Sequence, residues 1–146
     1  MSDAQKAFLT QFPDAQPIDV AWSDMDALQH VNNKVYFRYF EIARIELFAR
    51  TGLFAALESD KIGPVLADNY ARYKRPVTYP DHLLVGVGVS DITDTGFVTH
   101  YTVFSTAQQA VACEGRVRTV MFNFKKNEKA PLSDTLRAFL QSRLKA

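Results

Sequence analysis

Apolar positions change their spacing along the chain, and the changes mark its elements. Between residues 33 and 51, Tyr36, Tyr39, Phe40, Ala43 and Leu47 fall at i, i+3, i+4, i+7 and i+11, one stripe of a helix. Val35, Phe37, Ile42, Ile45 and Phe48 spread apolar character over much of the remainder, which predicts a helix buried on most sides. Lys34, Arg38 and Glu41 share the one clearly polar face, and Gly52 supplies the stop. Residues 53–59 add a short helical turn. Beyond it the period drops to two. Residues 65–77 read as a long extended run, closed by Pro76 and the turn Tyr79-Pro80-Asp81. Leu83, Val85, Val87 and Val89 alternate with Leu84, Gly86 and Gly88, the pattern of a strand that another element approaches closely. Asp94-Thr95-Gly96 signals a hairpin into a strand over 97–105, and Gln108-Gln109 marks the turn into a strand over 111–124. Before the main helix, residues 3–11 read as a short helix ended by Pro13, and Pro17 to Trp22 as a strand. After Pro131, residues 132–144 read as a helix with Ser133 as its cap.

The order is therefore strand, long apolar helix, then four strands. Consecutive hairpins make such a sheet mainly antiparallel, and one long helix lying on it is α+β. A chain of 146 residues, 47% apolar, is the size of one domain with a real core. We expect a single domain over 1–146, with its core at about 17–125, an N-terminal flap at 1–13 and a C-terminal helix at 132–145. The net charge of +1 speaks against nucleic acid as partner. Cys113 is the one cysteine and cannot pair internally, the opening Met-Ser-Asp-Ala-Gln-Lys has no apolar core of a signal peptide, and no apolar run reaches the ~20 residues that span a bilayer. These features point to a soluble cytoplasmic protein with no membrane partner. His30, His82 and His100 lie scattered with no metal-ligand spacing, so no metal is expected.

The chemistry gathers in Trp22–Tyr36, which holds Asp24, Asp26, His30, Asn32, Asn33 and Tyr36. A polar loop feeding a helix start presents free backbone N–H groups, and with a carboxylate and an imidazole these suit acyl or proton transfer. Asp24-x-Asp26-x-x-x-His30-Val31-Asn32-Asn33-x-x-Tyr36, then Phe40-Glu41-x-Ala43-Arg44, resembles the signature of the 4-hydroxybenzoyl-CoA thioesterase family of hotdog-fold proteins. Pro64-Val65-Leu66 and Tyr73-Lys74-Arg75-Pro76-Val77-x-Tyr79-Pro80-Asp81 are similar to that family's second strand and turn. One position departs: the family usually has Gly before the His-Val-Asn-Asn step, and Gln29 stands there.

The resemblance implies a hotdog fold, a long central helix wrapped by a five-stranded sheet, and hydrolysis of an acyl-CoA thioester. It makes Asp26 the catalytic base or nucleophile and gives the backbone N–H near Asn33 to the thioester carbonyl. It also implies a homodimer or homotetramer with sites at subunit interfaces. No cofactor is expected, since CoA comes with the substrate. From the residues themselves, Asp24 is suited to shaping the loop, and His30 to orienting water, thioester or Asp26. Asn32 and Asn33 are suited to capping the helix, with Asn32 and Tyr36 also within reach of the acyl group. Arg72, Lys74 and Arg75 could take CoA phosphates, as could Lys125 and Lys126. Two alternatives stay open: a hotdog hydratase or dehydratase, although its Gly-Asp-x-Asn-Pro before the His is absent, and a non-catalytic acyl-thioester binding module. A buried Asp26 would count against the binding module, because a buried carboxylate is costly unless used or paired.

Overall fold

The computed structural model describes residues 1–51 and 53–144; Gly52, the expected helix stop, and residues 145–146 lie outside the described residues. In order come α1 (Asp3–Gln11), β1 (Gln16–Asp19), a 3-10 turn (Trp22–Asp24), α2 (Val35–Phe48) with a 3-10 turn at Ala49–Thr51, α3 (Leu53–Asp60), β2 (Ile62–Tyr73), β3 (His82–Ser90), β4 (Gly96–Ser105), β5 (Ala110–Asn123), β6 (Glu128–Lys129) and α4 (Asp134–Gln141). The architecture is α+β: one long helix and a curled antiparallel sheet whose main path runs β1-β3-β4-β5-β2. A sixth strand, the two-residue β6, pairs with β5 off that path. Its shortness left no periodic signal. β1 pairs antiparallel with β3, from Gln16 opposite Val85 to Asp19 opposite His82.

The chain forms two compact units, one of Met1–Ala43, Ala71–Val87 and Tyr101–Gly115, the other of Arg44–Tyr70, Gly88–His100 and the chain from Arg116 onward. In the first unit Tyr36, Tyr39, Phe40 and Ala43 are all buried. Phe40 stacks on Tyr101 with ring centroids 4.6 Å apart, and Phe8 stacks on Phe104 at 5.0 Å. The close approach expected at Gly86 comes from Phe12: a Cβ there would lie 2.3 Å from its ring. In the second unit Phe48, Leu53, Val89, Phe97 and Met121 pack with Ala130, Leu132, Leu136 and Leu140. Ser133 caps α4 by accepting from Leu136 N at 3.1 Å.

Several boundaries differ from the sequence reading. The first strand stops at Asp19 because the chain turns at Trp22–Asp24, where Met25 N donates to Trp22 O at 3.2 Å. The main helix begins at Val35, not 33, because residues 32–35 first close a turn, with Lys34 N bonded to Asn32 Oδ1 and Val35 N to Asn32 O. It is not buried on most sides, since Ile42 and Ile45 are 36% and 44% exposed. β2 ends at Tyr73 rather than 77, where the amides of Lys74 and Arg75 both donate to Ala112 O and break the ladder. The last helix spans eight residues, with Leu132 N instead bonded to Asp94 O at 2.9 Å.

Candidate active site

Residues 25–31 close a small hairpin ahead of α2. Met25 and Val31 form an antiparallel bridge, Gln29 N donates to Asp26 O at 3.0 Å, and Asp26 N donates to His30 O at 3.1 Å. A turn followed by a left-handed residue is a standard hairpin loop, and glycine is favoured at that last position. Gln29 holds it, with φ 63°. The departure from the family pattern therefore leaves the backbone in a glycine-like conformation. Gln29→Gly is expected to change stability by less than about 1 kcal/mol, because the left-handed strain relieved, roughly 1–2 kcal/mol, is offset by greater freedom of the unfolded chain. Gln29→Val should cost at least about 1 kcal/mol, since β-branched residues resist positive φ. Urea unfolding of both variants measures the pair, and a well-tolerated valine would contradict this account.

The two carboxylates of the loop are placed very differently. Asp24 is buried and accepts from Ala21 N at 2.9 Å and from the Tyr39 hydroxyl at 2.8 Å, with the Arg38 guanidinium paired to its other oxygen. Its carbonyl accepts from Asn32 N at 3.0 Å. Burial alone would raise its pKa, but the bonds from Ala21, Tyr39 and Arg38 outweigh this and hold it below the usual 3.8. Asp24 thus ties the loop to α2. A depressed folded-state pKa contributes stability above the unfolded value, and that stability is lost as pH falls below about 3.8 towards the folded pKa. Asp24→Ala should cost about 1–3 kcal/mol by leaving the Tyr39 hydroxyl without its acceptor. It should also flatten the loss of stability on acidification, a contrast that thermal melts between neutral and acid pH would read out.

Asp26 is half-buried, not buried, so the costly-carboxylate argument against a binding module does not hold for it, and Asp24, which is buried, is fully paired. Its Oδ1 accepts from Leu28 N at 2.9 Å and its Oδ2 from Asn32 Nδ2 at 3.0 Å. Asn32 Oδ1 in turn accepts from Lys34 N at 3.1 Å, so one side chain holds the turn into α2 and orients Asp26. Asp26 borders two open clefts. One, of about 280 Å³, is lined by Asp26, Leu28, His30, Val31, Asn33, Tyr36, Tyr73, Lys74, Arg75 and Pro76. The other, of about 320 Å³, is lined by Trp22, Met25, Asp26, Ala27 and Gln29.

Of the residues picked from the sequence, Asp26, His30, Asn33, Tyr36, Lys74 and Arg75 meet in the first cleft. Asn32 turns to Asp26 and Lys34 rather than lining it, and Arg72 is exposed outside it. Lys125 and Lys126, in the second unit, are exposed, with their amides bonded to Asn123 Oδ1. Among the described residues no acceptor meets the Asn33 N–H, while Lys34 N and Val35 N are both taken by Asn32. Tyr36 is buried beneath the cleft, where its oxygen is hydrogen-bonded by the Val77 backbone and its pKa is raised by burial. Tyr73 was not among the site residues picked from the sequence, where it stood only in the long extended run and the second motif block. Its hydroxyl donates to Asn33 O at 3.0 Å, and burial raises its pKa too. Both phenols are neutral at physiological pH. Burial pushes the Cys113 thiol up to about 12, which leaves it protonated and a poor nucleophile. Lys74 pairs with Glu114. Among the described residues no group of three or more His, Cys, Asp and Glu could hold a metal ion.

Comparison with known proteins puts this geometry in a family context. A family model described as the Thioesterase-like superfamily matches residues 20–140. An inferred esterase of Aquifex aeolicus (strain VF5) is 31% identical over 86 residues, 58% of this chain and 67% of that protein. The alignments with two further curated relatives span 25% and 61% of those proteins. Among solved structures, an inferred thioesterase of Pseudomonas aeruginosa superposes with a TM-score of 0.77 at 30% identity, over 85% of this chain and 95% of that one. A 1,4-dihydroxy-2-naphthoyl-CoA thioesterase of Synechocystis superposes with a TM-score of 0.79 over 87% of this chain and 94% of that one, at 15% identity, a likeness of fold.

Proposed function

This chain belongs to the thioesterase-like superfamily and has its α+β hotdog fold, and from that premise we propose that it hydrolyses an acyl-CoA thioester to a carboxylic acid and free CoA. Within the superfamily we place it near the 4-hydroxybenzoyl-CoA thioesterases, on the Asp24-to-Arg44 motif. The observation that carries the reading is the first cleft, where Asp26 and Asn33, whose N–H meets no acceptor among the described residues, line one surface beside Lys74 and Arg75.

In this mechanism Lys74 and Arg75 attract the CoA phosphates, and the thioester carbonyl oxygen accepts from the Asn33 N–H. Asp26 takes a proton from water as the water adds to the carbonyl carbon. The oxyanion is held by the same N–H and by the positive end of α2. It then collapses, expelling the CoA thiolate, which is protonated to the thiol. His30, exposed at the rim, is placed to bond the water or the thioester. If Asp26 instead attacks the carbon itself, CoA thiolate leaves and a mixed anhydride forms; where water then opens it at the Asp26 carbonyl, the first turnover in labelled water carries an Asp26 oxygen into the acid. Water and substrate suffice; no cofactor enters. Release of free thiol over a panel of acyl-CoAs tests the reading, and a chain that binds them without release is a binding module or a hydratase.

We further propose a cytoplasmic homodimer or homotetramer. β2 ends the sheet path as an edge strand, and its Val65, Leu66, Tyr70 and Tyr73 are exposed. An open edge with apolar side chains favours pairing with another copy. Among the described residues no helix is long and apolar enough to cross a membrane. Sedimentation at micromolar concentration should show a dimer or larger; a stable monomer contradicts the proposal.

A further inference from the structure

Among the described residues Asp26 alone lines both clefts. The thioester carbon, held at Asp26 in the reading above, carries two substituents that must lie on different surfaces. One is the sulfur arm with its phosphates, the other the acyl group. The cleft with Lys74 and Arg75 suits the phosphates. The other has no cation: its one charge is Asp26, which repels phosphate, and its walls are Trp22, Met25, Ala27 and Gln29. Its volume of about 320 Å³ lies at the small end of small-molecule sites. Trp22, the chain's one tryptophan, is 71% exposed, a large apolar surface mostly open to solvent.

We propose that the Trp22–Met25 cleft is the acyl subsite, with the indole and the thioether as its specificity-determining contacts. This rests on the thioesterase reading, and it assigns each half of the substrate to a surface. An indole offers a large face for van der Waals contact with an apolar group, and methionine adapts to its shape. Binding there dries Trp22, while CoA alone leaves it wet.

The single tryptophan makes the test direct. S-octyl-CoA, a thioether with no bond to hydrolyse, is titrated into the wild-type protein beside CoA itself, and tryptophan emission is followed. S-octyl-CoA should shift the emission to the blue and CoA should not. In parallel, Trp22→Ala should lower kcat/KM for octanoyl-CoA at least ~10-fold more than for acetyl-CoA, the low end for loss of an apolar pocket contact. An equal response to CoA and S-octyl-CoA overturns the assignment. So does thiol release from octanoyl-CoA with no shift, or a Trp22→Ala effect equal for the two substrates. Absence of thiol release from every acyl-CoA strikes the thioesterase reading itself, and this assignment falls with it.

Discussion

Asp26→Asn is expected to lower kcat on an acyl-CoA at least ~100-fold, the low end of what a positioned base supplies. The substitution keeps size and shape but removes charge and basicity. An asparagine oxygen can still accept from Leu28 N, so the turn survives. The other contact changes sign, because an amide NH₂ would then face the Asn32 Nδ2 donor. Asn32 must rotate, which weakens its bond from Lys34 N. The variant should therefore lose a little stability and most of its turnover, with KM little changed, because phosphate and acyl contacts lie on other residues. The control is Asp24→Asn at saturating substrate. Asp24 is buried against Tyr39 and Arg38 and lines neither cleft, so its loss should show mainly in melting temperature. His30→Ala should fall between them. Near-normal turnover in Asp26→Asn beside a dead but folded Asp24→Asn would move the chemistry to the other carboxylate.

Phe40→Ala should destabilise the protein by about 3–5 kcal/mol, the range for truncating a large core aromatic. Phe40 has no exposed surface, stacks on Tyr101 with an interplanar angle of 14°, and meets Phe37 edge-on at 5.9 Å. Alanine leaves a cavity between a helix and a strand that cannot close without moving one of them, and it also forfeits the stacking. Guanidinium unfolding with an unchanged m-value is the measurement. A loss below about 1 kcal/mol, far under the core range, would mean that the face of α2 carrying Phe40 is not packed.

The helical stripe was legible because its cause is local. A period near 3.6 over Tyr36, Tyr39, Phe40, Ala43 and Leu47 can bury those side chains together only on a helix, and all five are buried. The glycine at 86 was legible for the same kind of reason, since a missing side chain in a strand marks close approach. The exposure of Ile42 and Ile45 was not legible. Spacing tells which residues share a face but not whether anything covers it. The strand end at Tyr73 was missed because it depends on hydrogen bonds to a distant residue, from the Lys74 and Arg75 amides to Ala112 O.

The site divides along the same line. By itself, the sequence determined the polar loop before α2, its two carboxylates and Asn32 at the turn into the helix, all set by neighbours within a few residues; the left-handed backbone at Gln29 came from the structure. Only the tertiary structure decided which carboxylate is buried. Asp24 and Asp26 are two residues apart and chemically alike, and they are told apart by Arg38 and Tyr39, 14 and 15 positions away. Only the fold, likewise, brought Tyr73, Lys74 and Arg75 to the loop, through Val31 N bonded to Val77 O at 2.8 Å and the Tyr73 hydroxyl bonded to Asn33 O. Local patterning sets backbone conformation, because its energies act between near neighbours. Burial and the charge around a carboxylate depend on groups that meet only once the chain has folded.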